Sequence, residues 1–212
     1  MDKNTKWVSE MKIERVMTNL RSNNMDPYFV KSKVELITKV ESFMKEGETV
    51  SVGGSVTLFE TGMIDFLKNG NYDYLDRYAD LTPEERKDVY RQCFSADTYL
   101  TSTNAITEDG ELFNVDGSGN RTAAMIYGPD QVLVIAGVNK IVKDEKAAVE
   151  RYRRIAGPAN AKRLNRDTPC AKLGYCTNCK SNENICSAHV MIRGQFDPNR
   201  IKVILIDENF GY

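Results

Sequence analysis

Histidine is nearly missing from this chain. His189 is the only one in 212 residues, so neither a His-built metal site nor a Ser-His-Asp triad is available unless His189 belongs to it. A basic excess is missing too: 29 Lys and Arg stand against 30 Asp and Glu, a formal net charge of -1. A nucleic-acid groove needs clustered positive charge, so a nucleic-acid partner is not expected. The basic stretches Arg151-Tyr152-Arg153-Arg154 and Lys162-Arg163 lie in helical sequence and read as a solvated helix face. Long apolar runs are absent. The longest, Val132 to Val138, is far too short to span a bilayer. Met1-Asp2-Lys3-Asn4-Thr5-Lys6 leads into no apolar signal core. The expectation is a cytoplasmic protein with no membrane partner. Internal repeats and low-complexity linkers are also lacking, which leaves one domain with a sizeable core.

What is present alternates between strand and helix. Val8, Met11, Val16 and Leu20 have loose helical spacing, and Asp26-Pro27 ends that segment. Ser32 and Glu35 form a capping box for a helix with the apolar stripe Val34, Ile37, Val40 and Met44, stopped at Gly47. A strand over Thr49 to Val52 passes through Gly53-Gly54 into a helix from Thr57 to about Lys68. A short strand at Tyr72 to Leu75 follows. Thr82-Pro83-Glu84-Glu85 opens another helix. Asp97 to Thr101 reads as a strand, and Glu108-Asp109-Gly110 as a hairpin turn between Ile106 and Leu112-Phe113. Gln131 to Ala136 is a buried strand by composition. A long helix covers Asp144 to Ile155, interrupted by Gly157-Pro158 before a helical stretch that ends near Leu164. Two strands, Ala188 to Ile192 and Lys202 to Ile206, close the chain. This order predicts an α/β fold with a mainly parallel sheet flanked by helices. It divides into N-terminal helices (1–46), an α/β core (47–166), and a cysteine segment with terminal strands (167–212) that forms a small lobe on the same domain.

Two glycine loops carry candidate chemistry. Gly53-Gly54-Ser55 lies between strand and helix, where backbone N–H groups can hold an anion at the carboxyl edge of the sheet. It is neither a Walker sequence nor Gly-x-Gly-x-x-Gly, and a tight turn is the plainer alternative. Thr57 and Glu60 have capping-box spacing, which offers a structural role for Glu60 as the alternative to a catalytic one. Asp116-Gly117-Ser118-Gly119-Asn120-Arg121 again sets flexible backbone before a helix, with an arginine fork suited to carboxylate or phosphate. A surface turn with a paired arginine is the alternative. Lys140 follows the strand Gln131 to Ala136 and so emerges at the same edge, as an anion holder, a base or one more surface lysine.

Of five cysteines, Cys170, Cys176, Cys179 and Cys186 crowd one short span, with five, two and six residues between them. Without export these thiols meet a reducing compartment, where a cluster favours metal over disulfides. Four thiolates suit zinc or an iron–sulfur cluster, and spacing alone does not choose. Cys93 reads as a core residue, and His189 as packing or as support for the cysteine cluster.

Together, Gly53 to Gly62, Thr103-Asn104-Ala105 to Gly110, Asn114 to Arg121, Gly137 to Val142 and the block from Thr168-Pro169-Cys170 to Cys186 resemble the small single-domain bacterial branch of the LUD (lactate-utilisation) domain family. The resemblance implies a fold like ribose-5-phosphate isomerase, glucosamine-6-phosphate deaminase and the CoA transferases. It also implies ligands at the carboxyl edge of the sheet, a link to L-lactate oxidation, and iron–sulfur redox partner proteins. The larger members carry ferredoxin-type cysteines that this chain lacks. No catalytic residue carries over. Gly53, Gly54, Ser55, Thr57, Glu60, Asn104, Asp116, Gly117, Gly119, Asn120, Arg121 and Lys140 are expected to bind a small anionic metabolite. The four cysteines are expected to hold a 4Fe-4S iron–sulfur cluster, with zinc as the alternative. Three functions follow: a component of lactate or organic-acid utilisation, a stand-alone enzyme for a phosphorylated or CoA-linked metabolite with structural zinc, or a non-catalytic sensor. Assembly as a homo-oligomer is compatible with each.

Overall fold

In the computed structural model, which describes residues 2–212, the chain begins with α1 (Lys3–Ser22), β1 (Asp26–Val30), α2 (Lys33–Glu41) and β2 (Thr49–Val52). It continues through α3 (Val56–Glu60), α4 (Met63–Asn69), β3 (Asp73–Leu75), α5 (Pro83–Gln92) and β4 (Thr98–Thr101). Next come β5 (Ala105–Thr107), β6 (Leu112–Asp116), α6 (Asn120–Ile126), β7 (Gln131–Gly137) and β8 (Ile141–Val142). The last elements are α7 (Glu145–Arg151), α8 (Gly157–Arg163), α9 (Pro169–Leu173), β9 (Ala188–Ile192) and β10 (Ile201–Ile206).

A six-stranded sheet with every pair parallel has the order β1-β10-β7-β4-β2-β3. Strand β7 shows how it is buried. Val132, Val134 and Ala136 face one apolar cluster together with Val16 and Leu20 of α1, whereas Leu133 and Ile135 face a second with Leu36, Leu58 and Leu67 from α2, α3 and α4. Side chains alternate sides along a strand, so a run with no polar residue marks a strand covered on both faces. A second sheet, β8-β5-β6-β9, packs through Ala105, Phe113 and Val115 against Ala148, Tyr152 and Ala156. No described helix is long and apolar enough to cross a membrane.

Several local expectations are corrected. Asp26-Pro27 does not end a helix but begins β1, so residues 1–46 are not all helical. Proline is tolerated there because an edge strand has one unpaired side. In α2 the buried residues are Leu36 and Val40, and Val34 is 74% exposed. Ser32 accepts the Glu35 N–H at 3.2 Å, but the Glu35 carboxylate accepts from Lys31, one residue before the box position. That helix ends at Glu41, ahead of Gly47. The expected helix from Thr57 to Lys68 is two, because Gly62 takes φ 79° between α3 and α4. Gly157-Pro158 does not interrupt its helix: a π-helical turn, Tyr152–Ala156, carries α7 into α8. The wider turn accommodates a proline that offers no N–H. The pair Ala188–Ile192 and Ile201–Ile206 is split between the two sheets. The Thr82–Glu85 capping box and the Glu108-Asp109-Gly110 hairpin turn are present as expected.

That hairpin turn seats α1. Asn19 Nδ2 donates to the Glu108 carbonyl at 2.8 Å, and Asn23 Nδ2 to the Asp109 carbonyl at 2.9 Å. Gly110 has φ 77°, and a Cβ there would lie 2.6 Å from the Asn19 carbonyl carbon. Gly110→Ala is therefore expected to cost about 1–3 kcal/mol of stability, read from the midpoint of urea unfolding. An unchanged midpoint would mean that α1 does not rest on this turn.

Candidate functional site

Strand order locates the site. The chain leaves β2 toward β3 on one side, whereas β4 leads on to β7 on the other, so the connections diverge between β2 and β4. Ligands of open α/β sheets gather at such a switch point, beyond the carboxyl ends of the strands. A cavity of about 80 Å³ opens there. Gly54, Ser55 and Thr57 after β2 line it, with Ser102, Thr103 and Asn104 after β4. Asp116 and Arg121 from the second glycine loop, Lys140 after β7, and Asn160 and Arg163 of α8 complete most of the wall. Stretches far apart in sequence thus meet at one place.

Lys140 is almost fully buried, at 2% exposure. Its Nζ donates to Thr57 Oγ1 at 2.8 Å and to Ser102 Oγ at 2.9 Å. Both partners are neutral hydroxyls. Burial, then the positive charges of Arg151 and Arg121, push the amine down to about 7, against a smaller opposing pull from Glu60. Desolvation penalises the charged form, and nearby cations penalise it further.

Arg121 is not free to grip a ligand with its whole fork, which corrects the reading of that loop. Nε donates to Asp116 Oδ1 at 2.9 Å, and Nη1 donates to the Ser102 carbonyl at 2.8 Å and to Asn114 Oδ1 at 2.6 Å. Nη2 reaches Asn104 Oδ1 and the Val115 carbonyl, each at 3.3 Å. The other Asp116 oxygen accepts the Thr122 N–H at 2.8 Å. The pair is buried and internally satisfied, and it gives the cavity wall its shape.

The remaining expected residues divide. Gly53 lies behind the wall, where a Cβ would come within 2.6 Å of Thr101 Oγ1 and 3.0 Å of the Arg121 stem. Glu60 does not complete a box with Thr57, because Ser55, not Thr57, stands at the cap of α3. Its carboxylate instead accepts the Gly211 N–H at 2.6 Å. Asn139 holds the same segment through the Phe210 N–H and the Gly211 carbonyl, each at 3.2 Å, and Tyr212 joins the cavity wall. Gly117, Gly119 and Asn120 lie outside the lining: Gly117 faces Ile185, and Gly119 turns at φ 80° into α6. Helix α3 has five residues, too few for a strong macrodipole, so positive charge here comes from side chains.

Ser102, Thr103, Asn160, Arg163 and Tyr212 line the cavity beyond the residues expected to bind. Ser102 and Thr103 could have been found, since they follow a strand that ends at the same edge. Of the basic stretches, Arg153, Arg154, Lys162 and Arg163 are exposed as expected, and Arg151 is the exception. Arg151 is buried and donates to the Asn104 carbonyl at 2.6 Å and the Asn139 carbonyl at 3.2 Å. Arg163 is exposed but lines the mouth, with Nη2 on Asn160 Oδ1 at 2.7 Å.

The four clustered cysteines line a second cavity, of about 130 Å³, on the far side of α8. Tyr152, Pro158, Ala161 and Ile185 supply apolar wall, and His189 borders it with its ring edge-on to Tyr152. Cys176 Sγ accepts the Asn178 N–H at 3.3 Å. Burial, then the neighbouring Cys176, Cys179 and Cys170, raise the Cys186 thiol. Among the described residues no three His, Cys, Asp or Glu side chains are close enough to share one metal ion. Cys93 is buried in the core, apart from the cluster.

A pH dependence follows from Lys140. Unfolded, its amine returns toward 10.5. Between about 7 and 10.5 the unfolded chain holds the extra proton, so this group makes stability rise with pH, by up to about 1.4 kcal/mol per unit. Lys140→Met lacks that slope. Stability of the native chain relative to this variant is expected to climb from pH 7 to 9 in urea unfolding, and a flat difference would show an unperturbed amine.

Comparison with known proteins agrees with this architecture. The LUD domain family profile matches residues 13–206. No curated relative matches. Among solved structures, the chain is similar to a DUF162 family protein from Deinococcus radiodurans at 16% identity and a TM-score of 0.53, over 93% of this chain and 98% of that one. Weaker likenesses reach eIF2B delta from Chaetomium thermophilum (16% identity, TM-score 0.37, 57% of this chain and 54% of that one). Another is ribose 5-phosphate isomerase from Plasmodium falciparum (16% identity, TM-score 0.34, 52% of each chain). With a match that takes in both glycine loops and nearly the whole core, the chain belongs to the LUD domain family.

Proposed function

We propose that the cavity between β2 and β4 binds a small anionic metabolite, and that the protein serves the use of organic acids such as L-lactate. One observation carries this reading. Arg163 lines the cavity as a cation bonded only to the Asn160 amide, Lys140 joins it whenever its amine is protonated, and the one acidic side chain of the lining, Asp116, is already paired with Arg121. The surplus positive charge lies in a partly desolvated recess, where attraction for an anion is stronger than in water. A volume of about 80 Å³ corresponds to a few water molecules and suits a short carboxylate or one phosphate group. The bulk of a CoA-linked ligand would remain outside.

Titration calorimetry with lactate, pyruvate and inorganic phosphate tests the pocket. At least one of them is expected to bind, and Arg163→Gln to weaken it about tenfold or more, the scale of a hydrogen bond to a charged group. No binding by any of the three, or full affinity in the variant, would overturn the assignment.

For the second cavity we infer a 4Fe-4S cluster in preference to zinc. Four thiols around one recess support a metal centre. Four thiolates can hold either a single zinc or an iron–sulfur cube, and the link of LUD proteins to redox use of organic acids favours the cube. Such a cluster would supply one-electron redox chemistry. Protein purified without oxygen is expected to be brown, with visible absorbance that bleaches on reduction and is lost in Cys176→Ser. A colourless protein loaded with zinc would reject the cluster and leave a structural role.

A further inference from the structure

The Lys140 amine has more chemistry available than holding an anion. It is a buried primary amine on a cavity wall, it hydrogen-bonds only to neutral hydroxyls, and the positive charges of Arg151 and Arg121 outweigh the smaller opposing pull of Glu60. Arg151 itself is held by the Asn104 and Asn139 carbonyls, with no carboxylate among these partners to cancel its field. A lysine serving only to tie β7 to β2 and β4 would be expected to have a carboxylate partner, because an uncompensated buried ammonium is costly. Here the burial and the neighbouring cations favour the uncharged amine, which is a nucleophile. In that form two N–H bonds are taken up by Thr57 and Ser102, and the remaining tetrahedral position is the lone pair.

We propose that Lys140 is the reactive group of this pocket: its amine adds to the carbonyl carbon of a small anionic aldehyde or 2-oxo acid and holds the compound as an imine. The proposal rests on the anion-binding reading of the same cavity. In the first step the nitrogen lone pair forms a C–N bond and the carbonyl π pair moves to oxygen. That oxygen takes a proton from the nitrogen, relayed by the Thr57 or Ser102 hydroxyl. In the second step the carbinolamine oxygen takes a proton delivered from solvent through the same hydroxyl and leaves as water, while the nitrogen lone pair closes the C=N bond to give the protonated imine. Nothing is oxidised or reduced. The ligand's own anionic group provides the countercharge that the protonated imine would otherwise lack.

Reductive trapping tests this. The intact protein is incubated with pyruvate, or separately glyoxylate, and sodium cyanoborohydride, then digested and mapped by mass spectrometry. The expected result is one reduced adduct on the peptide carrying Lys140, formed at least about tenfold faster than on any other lysine because far more of this amine is uncharged near neutral pH. Propionaldehyde, which has no anionic group, is expected to show no such preference. Lys140→Arg should lose the adduct while retaining the wild-type circular dichroism spectrum. Mapping on the unaltered chain decides the point if that variant does not fold. Calorimetric binding of pyruvate with Lys140 left unlabelled would overturn the imine chemistry and leave the anion pocket intact. Absence of both binding and labelling would remove the pocket reading as well.

Discussion

A buried arginine ties this molecule together. Arg121 on α6 reaches Ser102 beyond β4, Asn104 at the start of the hairpin, and Asn114, Val115 and Asp116 on β6. One side chain thus joins the parallel sheet to the second sheet at the corner where the candidate site opens. A buried ion pair contributes little net stability when it could be replaced by packed hydrocarbon, but a guanidinium with each contact satisfied permits few alternative arrangements. The Ser102 carbonyl it holds belongs to the residue whose hydroxyl accepts from Lys140. Position therefore passes from Arg121 through Ser102 to the amine.

Helix α8 gives the protein a second constraint. Asn160 and Arg163 face the cavity between β2 and β4, while Gly157, Pro158 and Ala161 face the cysteine cavity. At 3.6 residues per turn the two sets point in different directions from the same short helix. The π-helical turn just before it sets the rotation at which each face is presented. Gly117 also packs on Ile185, so the second glycine loop touches the cysteine segment directly. Helix α8 thus borders both cavities, and the second glycine loop lines one and touches the segment that lines the other.

Much of the site was legible because strand ends announce themselves. Gly54, Ser55 and Thr57 follow one apolar strand and Lys140 another, and parallel strands deliver their carboxyl ends to one edge. The same logic does not assign roles. Gly53 and Gly54 are neighbours in sequence, yet one packs against Thr101 and the other lines the cavity. Glu60 had a local explanation in Thr57, but its carboxylate is engaged by Gly211, 151 residues away. Arg151 and Arg154 read alike as helix-surface cations; only the first turns inward, to backbone carbonyls with no sequence signature.

Local chemistry was enough for the alternation of strands and helices, the Thr82 cap, the hairpin turn, the parallel core and the gathering of cysteines in one segment. These depend on side-chain period, cap geometry and residue spacing, which act over a few positions of the chain. Tertiary structure decided which strand is an edge, how the two terminal strands divide between two sheets, and which charges are buried. It also turned Lys140 from one lysine among many into a buried amine with no carboxylate hydrogen-bonded to it, because desolvation and the fields of Arg121 and Arg151 exist only once those segments are brought together.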